Sequence, residues 1–235
     1  MIVTRGLCRS YGEGPARVHA TREVSLRIAA GEFVVLAGPS GSGKTTLLNL
    51  IGGLDAPTSG SLRVDGVELN GMSAAGLDAF RRDRIGYVFQ RSNLVSSLSV
   101  YENAVLQLRL QGRLTAAAAR RARRLLAEVG LGDRLQALPS QLSGGQQQRA
   151  AIVRAVASGT AIVVADEPTA SLDSANAEGV LTILRRLNER EGATIVVSSH
   201  DERVMAAGRR IVRLSDGVVT ADTHGGPRRR GDVRP

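Results

Sequence analysis

The apolar residues of this chain do not keep one period. Short apolar runs come first, at 24–28 and 33–37, and the second, FVVLA, leads through GPSGSGKTT into a helical stretch over 45–51. Residues 61–69 pattern as a hairpin and 85–89 as a buried strand that ends at Gln90. From about 100 to 138 the spacing turns helical: Val105 and Leu108, then Leu125, Leu126 and Val129, recur at three- and four-residue steps. That change predicts a small helical subdomain, at about 91–140, inserted into a sheet domain. After Pro139 a helix to about 157, a strand at 161–165, a helix with Val180, Leu184 and Leu187 on one face, and a strand at 194–198 follow in turn. Strand and helix alternating in this way predict an α/β fold with a mostly parallel sheet covered on both faces.

Length and composition narrow the class. The 235 residues suffice for one α/β domain with a small subdomain. No stretch approaches the roughly 18 unbroken apolar residues of a membrane span. The start, MIVTRGLCRSYGEG, lacks the apolar core of a secretory signal, so a cytoplasmic location is expected. The single cysteine, Cys8, excludes an internal disulfide. From about 223 the chain is rich in glycine, proline and arginine, and a disordered basic tail is expected over 223–235, leaving one domain over 1–222.

The net charge of +9 invites a nucleic-acid reading, yet tryptophan is absent and aromatics make up 3%, which leaves few stacking platforms. The arginines are scattered, at 81, 82 and 84, at 120, 121, 123 and 124, and at 228–230, and read as solvated faces. No specific nucleic-acid partner is expected. Lys44 is the chain's only lysine, every other one of its 31 basic residues being arginine. A compact ammonium retained at that one place points to a task the flat guanidinium does not serve.

That place is a phosphate loop. Gly38, Pro39, Ser40, Gly41, Ser42, Gly43, Lys44 and Thr45, followed by Thr46, match G-x-x-x-x-G-K-[ST] after a strand and before a helix. Glycines let backbone N–H groups surround phosphate oxygens, the helix dipole adds positive potential, Lys44 reaches the β- and γ-phosphates, and the Thr45 hydroxyl can hold Mg²⁺. Further on, AIVVADEP puts Asp166 and Glu167 at the carboxyl end of a buried strand, where open α/β sheets bind ligands. Asp166 is placed to hold Mg²⁺, and Glu167 to polarise the water that attacks the γ-phosphate. In LSGGQQQR, Ser143, Gly144 and Gly145 cap a second helix and form a second anion nest. One triphosphate already has its loop, so the spare nest makes sense if two copies face head to tail, each completing the other's site.

GPSGSGKTT, Gln90, LSGGQ, VVADEPTASLD and Ser199–His200 occur in the order and approximate spacing of the ABC ATPases, and the chain resembles that family from Met1 to about Ala221. The resemblance implies a P-loop NTPase fold with a mostly parallel core sheet, an antiparallel β subdomain and an inserted helical subdomain, with ATP and Mg²⁺ as ligands. It implies that Tyr11 stacks on adenine, that Gln90 contacts Mg²⁺ and water and links to a transmembrane partner, and that Gln146 belongs to the signature nest. It also implies that Asp173 contacts the second protomer and that His200 senses the γ-phosphate. The expected assembly is a dimer of ATPase subunits on the cytoplasmic membrane face, driving a separate permease.

GGLDAPTSG, RRDRIGYVFQ and NLVSSLSVYENAVL are similar to the branch holding macrolide-export, lipoprotein-release and cell-division ATPases. ASGTAIVV, without the usual proline, and the alanine of TASLD depart from that branch. A regulator acting on a membrane protein, and a DNA-associated ATPase sharing this head, are the other functions open to the sequence.

Overall fold

The computed structural model describes residues 1–170 and 172–223. Ser171 and the stretch 224–235, with its expected disorder, lie outside these described residues. In chain order the elements are β1 (Ile2–Tyr11), β2 (Val18–Ile28), β3 (Phe33–Ala37), α1 (Lys44–Ile51), β4 (Ser59–Val64), β5 (Val67–Glu68), α2 (Ala74–Arg84) and β6 (Ile85–Val88). There follow α3 (Val100–Leu110), α4 (Ala116–Glu128), α5 (Gly144–Ala157), β7 (Ile162–Asp166), α6 (Ser174–Glu191), β8 (Thr194–Ser198), α7 (Glu202–Ala207), β9 (Arg210–Ser215) and β10 (Val218–Thr223). Thr223, assigned by composition to the tail, closes β10.

Six strands form the main sheet in the order β10-β9-β3-β8-β7-β6, parallel except for the β9–β10 edge pair. β3, β7 and β8 are buried at every position, which is why they read as unbroken apolar runs. Their side chains alternate between two cores. Val34, Leu36, Val164 and Val196 pack with Leu47, Leu48 and Ile51 of α1, whereas Phe33, Val35, Val163 and Ile195 pack with α3, α4, α5 and α6. The helical segment therefore shares a core with the sheet. The second sheet, β2-β1-β4-β5, is antiparallel and lays Ile2, Leu7 and Leu62 against the α1 side.

Side chains fix where the helices start. Ser99 and Glu102 form a capping box on α3, Thr115 caps α4, Ser143 and Gln146 box α5, and Asp173 caps α6. Among the described residues several of the scattered arginines are held in ion pairs, Arg82 with Asp83, Arg84 with Asp65 and Arg121 with Glu191. Arg210 is held between Glu32 and Asp222, whose carboxylates raise its already high pKa.

Candidate functional site

The loop 38–43 leaves the carboxyl end of β3 and enters α1 at Lys44. Its shape demands glycine at two points. Gly43 has φ 97°, and a Cβ there would lie 2.2 Å from the Ala20 carbonyl; at Gly38, φ 153°, it would meet the Leu214 carbonyl at the same distance. Lys44, a buried residue at 8% exposure, donates through its ammonium to the carbonyls of Gly38 and Pro39 at 2.8 Å each. Two of its three protons hold it over the loop, and the third remains for an incoming acceptor. The Ser42 hydroxyl, within the loop, is buried with no hydrogen-bond partner among the described residues, an orphaned polar group in the phosphate loop.

A cavity of about 570 Å³ opens over the loop. It is lined by residues 39–46, by Val18, His19 and Ala20 of β2, and by Gln90, Glu167 and His200. Asp166 joins it from below: the Thr45 hydroxyl lies 3.0 and 3.1 Å from the two Asp166 carboxylate oxygens. An all-oxygen pair of one hydroxyl and one carboxylate, with no cluster of three or more His, Cys, Asp or Glu among the described residues, fits Mg²⁺, which completes its shell with phosphate oxygens and water.

Glu167 follows β7 in the left-handed region, φ 44°, a costly conformation for a residue with a Cβ. Its N–H is anchored twice, to the Ser198 carbonyl at 3.2 Å and the Ser198 hydroxyl at 3.0 Å. His200 Nδ1 lies 2.9 Å from Oε1 of its carboxylate, and the Ser199 hydroxyl donates to Oε2 at 3.4 Å. Gln90 stands two residues beyond β6, in a loop rather than at the strand end expected of it, and His200 likewise stands two residues beyond β8.

Not every expected residue joins this cavity. Tyr11 is the last residue of β1, paired with Val18. It donates its phenolic hydroxyl to Asp55 at 2.6 Å, and the Arg9 guanidinium lies 4.6 Å from its ring centroid. Ser143, Gly144, Gly145, Gln146 and Asp173 are absent from the cavity lining. Ser143 accepts from the Gln146 N–H at 3.3 Å while Gln146 Oε1 accepts from the Ser143 N–H at 2.9 Å. Asp173 caps α6 through Asn176, whose backbone and side-chain amides hold its carboxyl below the usual range.

The sequence reading missed the ties between the Gln90 loop and α5. Gln148 donates to the Phe89 carbonyl at 3.0 Å, the Ser92 hydroxyl to Gln147 at 3.1 Å, and Arg154 to the carbonyls of Ser92 and Asn93. Arg154 has carbonyls rather than a carboxylate for partners, and burial lowers its pKa. The run of three glutamines was a visible signal, since α5 buries Gln148 at 2% exposure on an otherwise apolar face.

A glycine loop between strand and helix, faced by two consecutive carboxylates at the carboxyl end of β7, one strand removed from β3 in the same sheet, defines a protein of the P-loop NTPase fold. Residues 21–170 match the family model described as ABC transporter. The chain belongs to the ABC transporter family. It is 45% identical, over 95% of its length, to the macrolide export ATP-binding/permease protein MacB of Aggregatibacter actinomycetemcomitans, of which that match covers 34%. It is also 45% identical to MacB of Rhodopseudomonas palustris, over 99% of this chain and 36% of that protein. The chain thus spans about a third of the length of these curated relatives. Among solved structures it is similar to the ATP-binding cassette MJ0796, seen as a dimer and as a dimeric post-hydrolysis state bound to ADP and Pi. The TM-score is 0.90 at 41% identity, over 95% of this chain and 98% of the other. No helix among the described residues is long and apolar enough to cross a membrane.

Proposed function

We propose that this chain is the ATP-hydrolysing motor of an ABC transporter, closing head to tail with a second copy around two ATP molecules to drive a permease of the macrolide or lipoprotein-release type. The observation that carries the reading is the convergence of Lys44, Thr45, Gln90, Glu167 and His200 on one cavity, with Asp166 bound to Thr45.

Residues 38–46 cradle the triphosphate, and Lys44 donates a hydrogen bond from its third N–H to a β- or γ-phosphate oxygen. Thr45, Asp166 and Gln90 hold Mg²⁺, which when bound neutralises charge on the phosphate oxygens. Glu167 takes a proton from the attacking water, and His200 orients that carboxylate and meets the γ-phosphate. Tyr11 stacks on adenine. Ser143, Gly144, Gly145 and Gln146 of the second copy, with Asp173 beside them, complete the site from the opposite side; the dimeric cassettes among the relatives support this assembly.

Force leaves through α5 and the Gln90 loop, which the ties of Gln147, Gln148 and Arg154 make one unit. Next to it lies a groove of about 500 Å³ whose lining includes Leu54, Tyr87, Phe89, Leu110 and Arg154, with Leu54 and Leu110 exposed. We assign this groove to the permease and infer that the chain works at the cytoplasmic membrane face. The permease is a separate polypeptide or, as the names of the longer relatives suggest, part of the same one; the length of the native polypeptide decides. The test is ATP turnover by the purified chain with and without its detergent-extracted membrane partner. Turnover stimulated by that partner is expected, and absence of any nucleotide turnover overturns the reading.

A further inference from the structure

The geometry points to Ser198 as a positioning residue of the hydrolytic centre: its hydroxyl fixes the Asp166 carboxylate and anchors the backbone that presents Glu167. This rests on the roles proposed above for Asp166 and Glu167.

β8 is buried throughout, and Ser198, its last residue, is 0% exposed. A hydroxyl at the centre of a parallel sheet is costly there unless its hydrogen bonds are made. Both go to functional residues. Ser198 Oγ donates to Asp166 Oδ1 at 2.5 Å and accepts the Glu167 N–H at 3.0 Å. Strand register makes this possible: Ser198 pairs with Asp166 across β7–β8. Val164 and Val196 face the α1 core, so the two-residue period of a strand carries Asp166 and Ser198 to the face where Thr45 stands in the first turn of α1.

Asp166 accepts from two hydroxyls, and the two are not equivalent. Thr45 is also a cation ligand in the proposed site, and a hydroxyl whose lone pairs serve a cation must turn its proton elsewhere. Ser198 lies behind the carboxylate with no such second task, so its contact is the one that holds the Asp166 rotamer while a cation is bound. Glu167 depends on it as well. Its left-handed φ persists because the surroundings over-determine it, and the Ser198 hydroxyl and carbonyl are the two acceptors of its N–H. Three consecutive residues thus address the acidic pair: Ser198 holds Asp166 and the Glu167 backbone, while Ser199 and His200 reach the Glu167 carboxylate.

The test is Ser198→Ala in the full chain, with Ser198→Cys beside it to carry the experiment should the alanine variant not fold. Three readouts are taken: kcat and KM for ATP, affinity for Mn²⁺ in the ADP complex by electron paramagnetic resonance, and thermal melting. We expect kcat to fall roughly tenfold or more, the effect of losing hydrogen bonds to charged groups. KM for ATP stays within about twofold, since loop 38–46 and Tyr11 are untouched, and Mn²⁺ affinity weakens severalfold. The cysteine variant, with its weaker donor, lies between alanine and parent. A purely structural role would lower the melting temperature while leaving kcat and Mn²⁺ affinity alone. A folded variant with parental kcat and parental Mn²⁺ affinity overturns the proposal. Glu167→Gln is assayed in parallel: if it turns over like the parent, the underlying reading fails; if it is inactive while Ser198→Ala is unaffected, only the role of Ser198 fails.

Discussion

His200 Nδ1 lies 2.9 Å from Oε1 of Glu167, and the two side chains differ sharply in shelter: 72% of the histidine is exposed against 13% of the glutamate. A shielded carboxylate held by an open imidazole suits a base whose orientation responds to what enters the cavity. Glu167→Gln keeps the size and one acceptor oxygen but cannot take a proton. Its kcat is expected to fall at least about 100-fold, the scale of general-base catalysis, with nucleotide affinity within about twofold and an ATP-dependent dimer accumulating on size exclusion. Turnover at the parental rate would show that Glu167 is not the base.

Tyr11 presents one ring face to Arg9, at 4.6 Å, while Asp55 binds both, accepting from the phenol at 2.6 Å and from Arg9 Nε at 2.9 Å. The cation covers one side of the ring, so the proposed stacking on adenine would use the other. Tyr11→Ala is expected to raise KM for ATP about tenfold, in line with base–aromatic stacking, and to leave kcat nearly unchanged. Asp55→Ala frees both partners and should raise KM severalfold. A fall in kcat at constant KM would place Tyr11 elsewhere than against adenine.

What could be read from the sequence follows from where each residue's partners lie. β3, β7 and β8 are buried on both faces, so they show as FVVLA, IVVAD and TIVVS whatever pairs with them. The loop 38–46 is local in sequence and was legible for that reason. Helix α2, AAGLDAFRRDR, buries only Phe80 and carries no apolar stripe to detect. β9 and β10 were missed because β9 opens on Arg210, whose burial depends on Glu32 and Asp222, and β10 is an exposed edge. Ser198 looked like a strand's polar end. Its meaning depends on pairing with Asp166, 32 residues away, and no local pattern carries that.

Asp173 caps α6, and the Asn176 amides hold its carboxyl below the usual value. A carboxyl depressed in the folded state contributes stability that is complete above the unfolded pKa, near 4, and is lost as pH falls through the lower folded value. Asn is also a good cap but does not titrate. The difference in melting temperature between the parent and Asp173→Asn should therefore be constant above about pH 5 and shift in favour of the variant below about pH 4. Circular-dichroism melts across that range check it; curves parallel down to about pH 2 would remove the charged cap.

The start of α5 carries the strongest claim about assembly. Ser143 and Gly144 are exposed, nothing lies within 4 Å of a Cβ built on Gly144, and neither residue lines the cavity over Lys44. A glycine-flanked helix N-terminus open to solvent is free to meet a phosphate held by a second copy. Ser143→Arg fills that space. Nucleotide affinity of the single chain should stay within about twofold, while the ATP-driven dimer disappears and kcat falls more than about tenfold. Arginine also removes the cap, a loss of about 1 kcal/mol, so Ser143→Ala is the control. It loses the same cap without the bulk and should still dimerise with ATP, though more weakly. If Ser143→Arg dimerises like the parent in equilibrium sedimentation, the two copies do not meet at this helix end, and the phosphate held by Lys44 is completed from somewhere else.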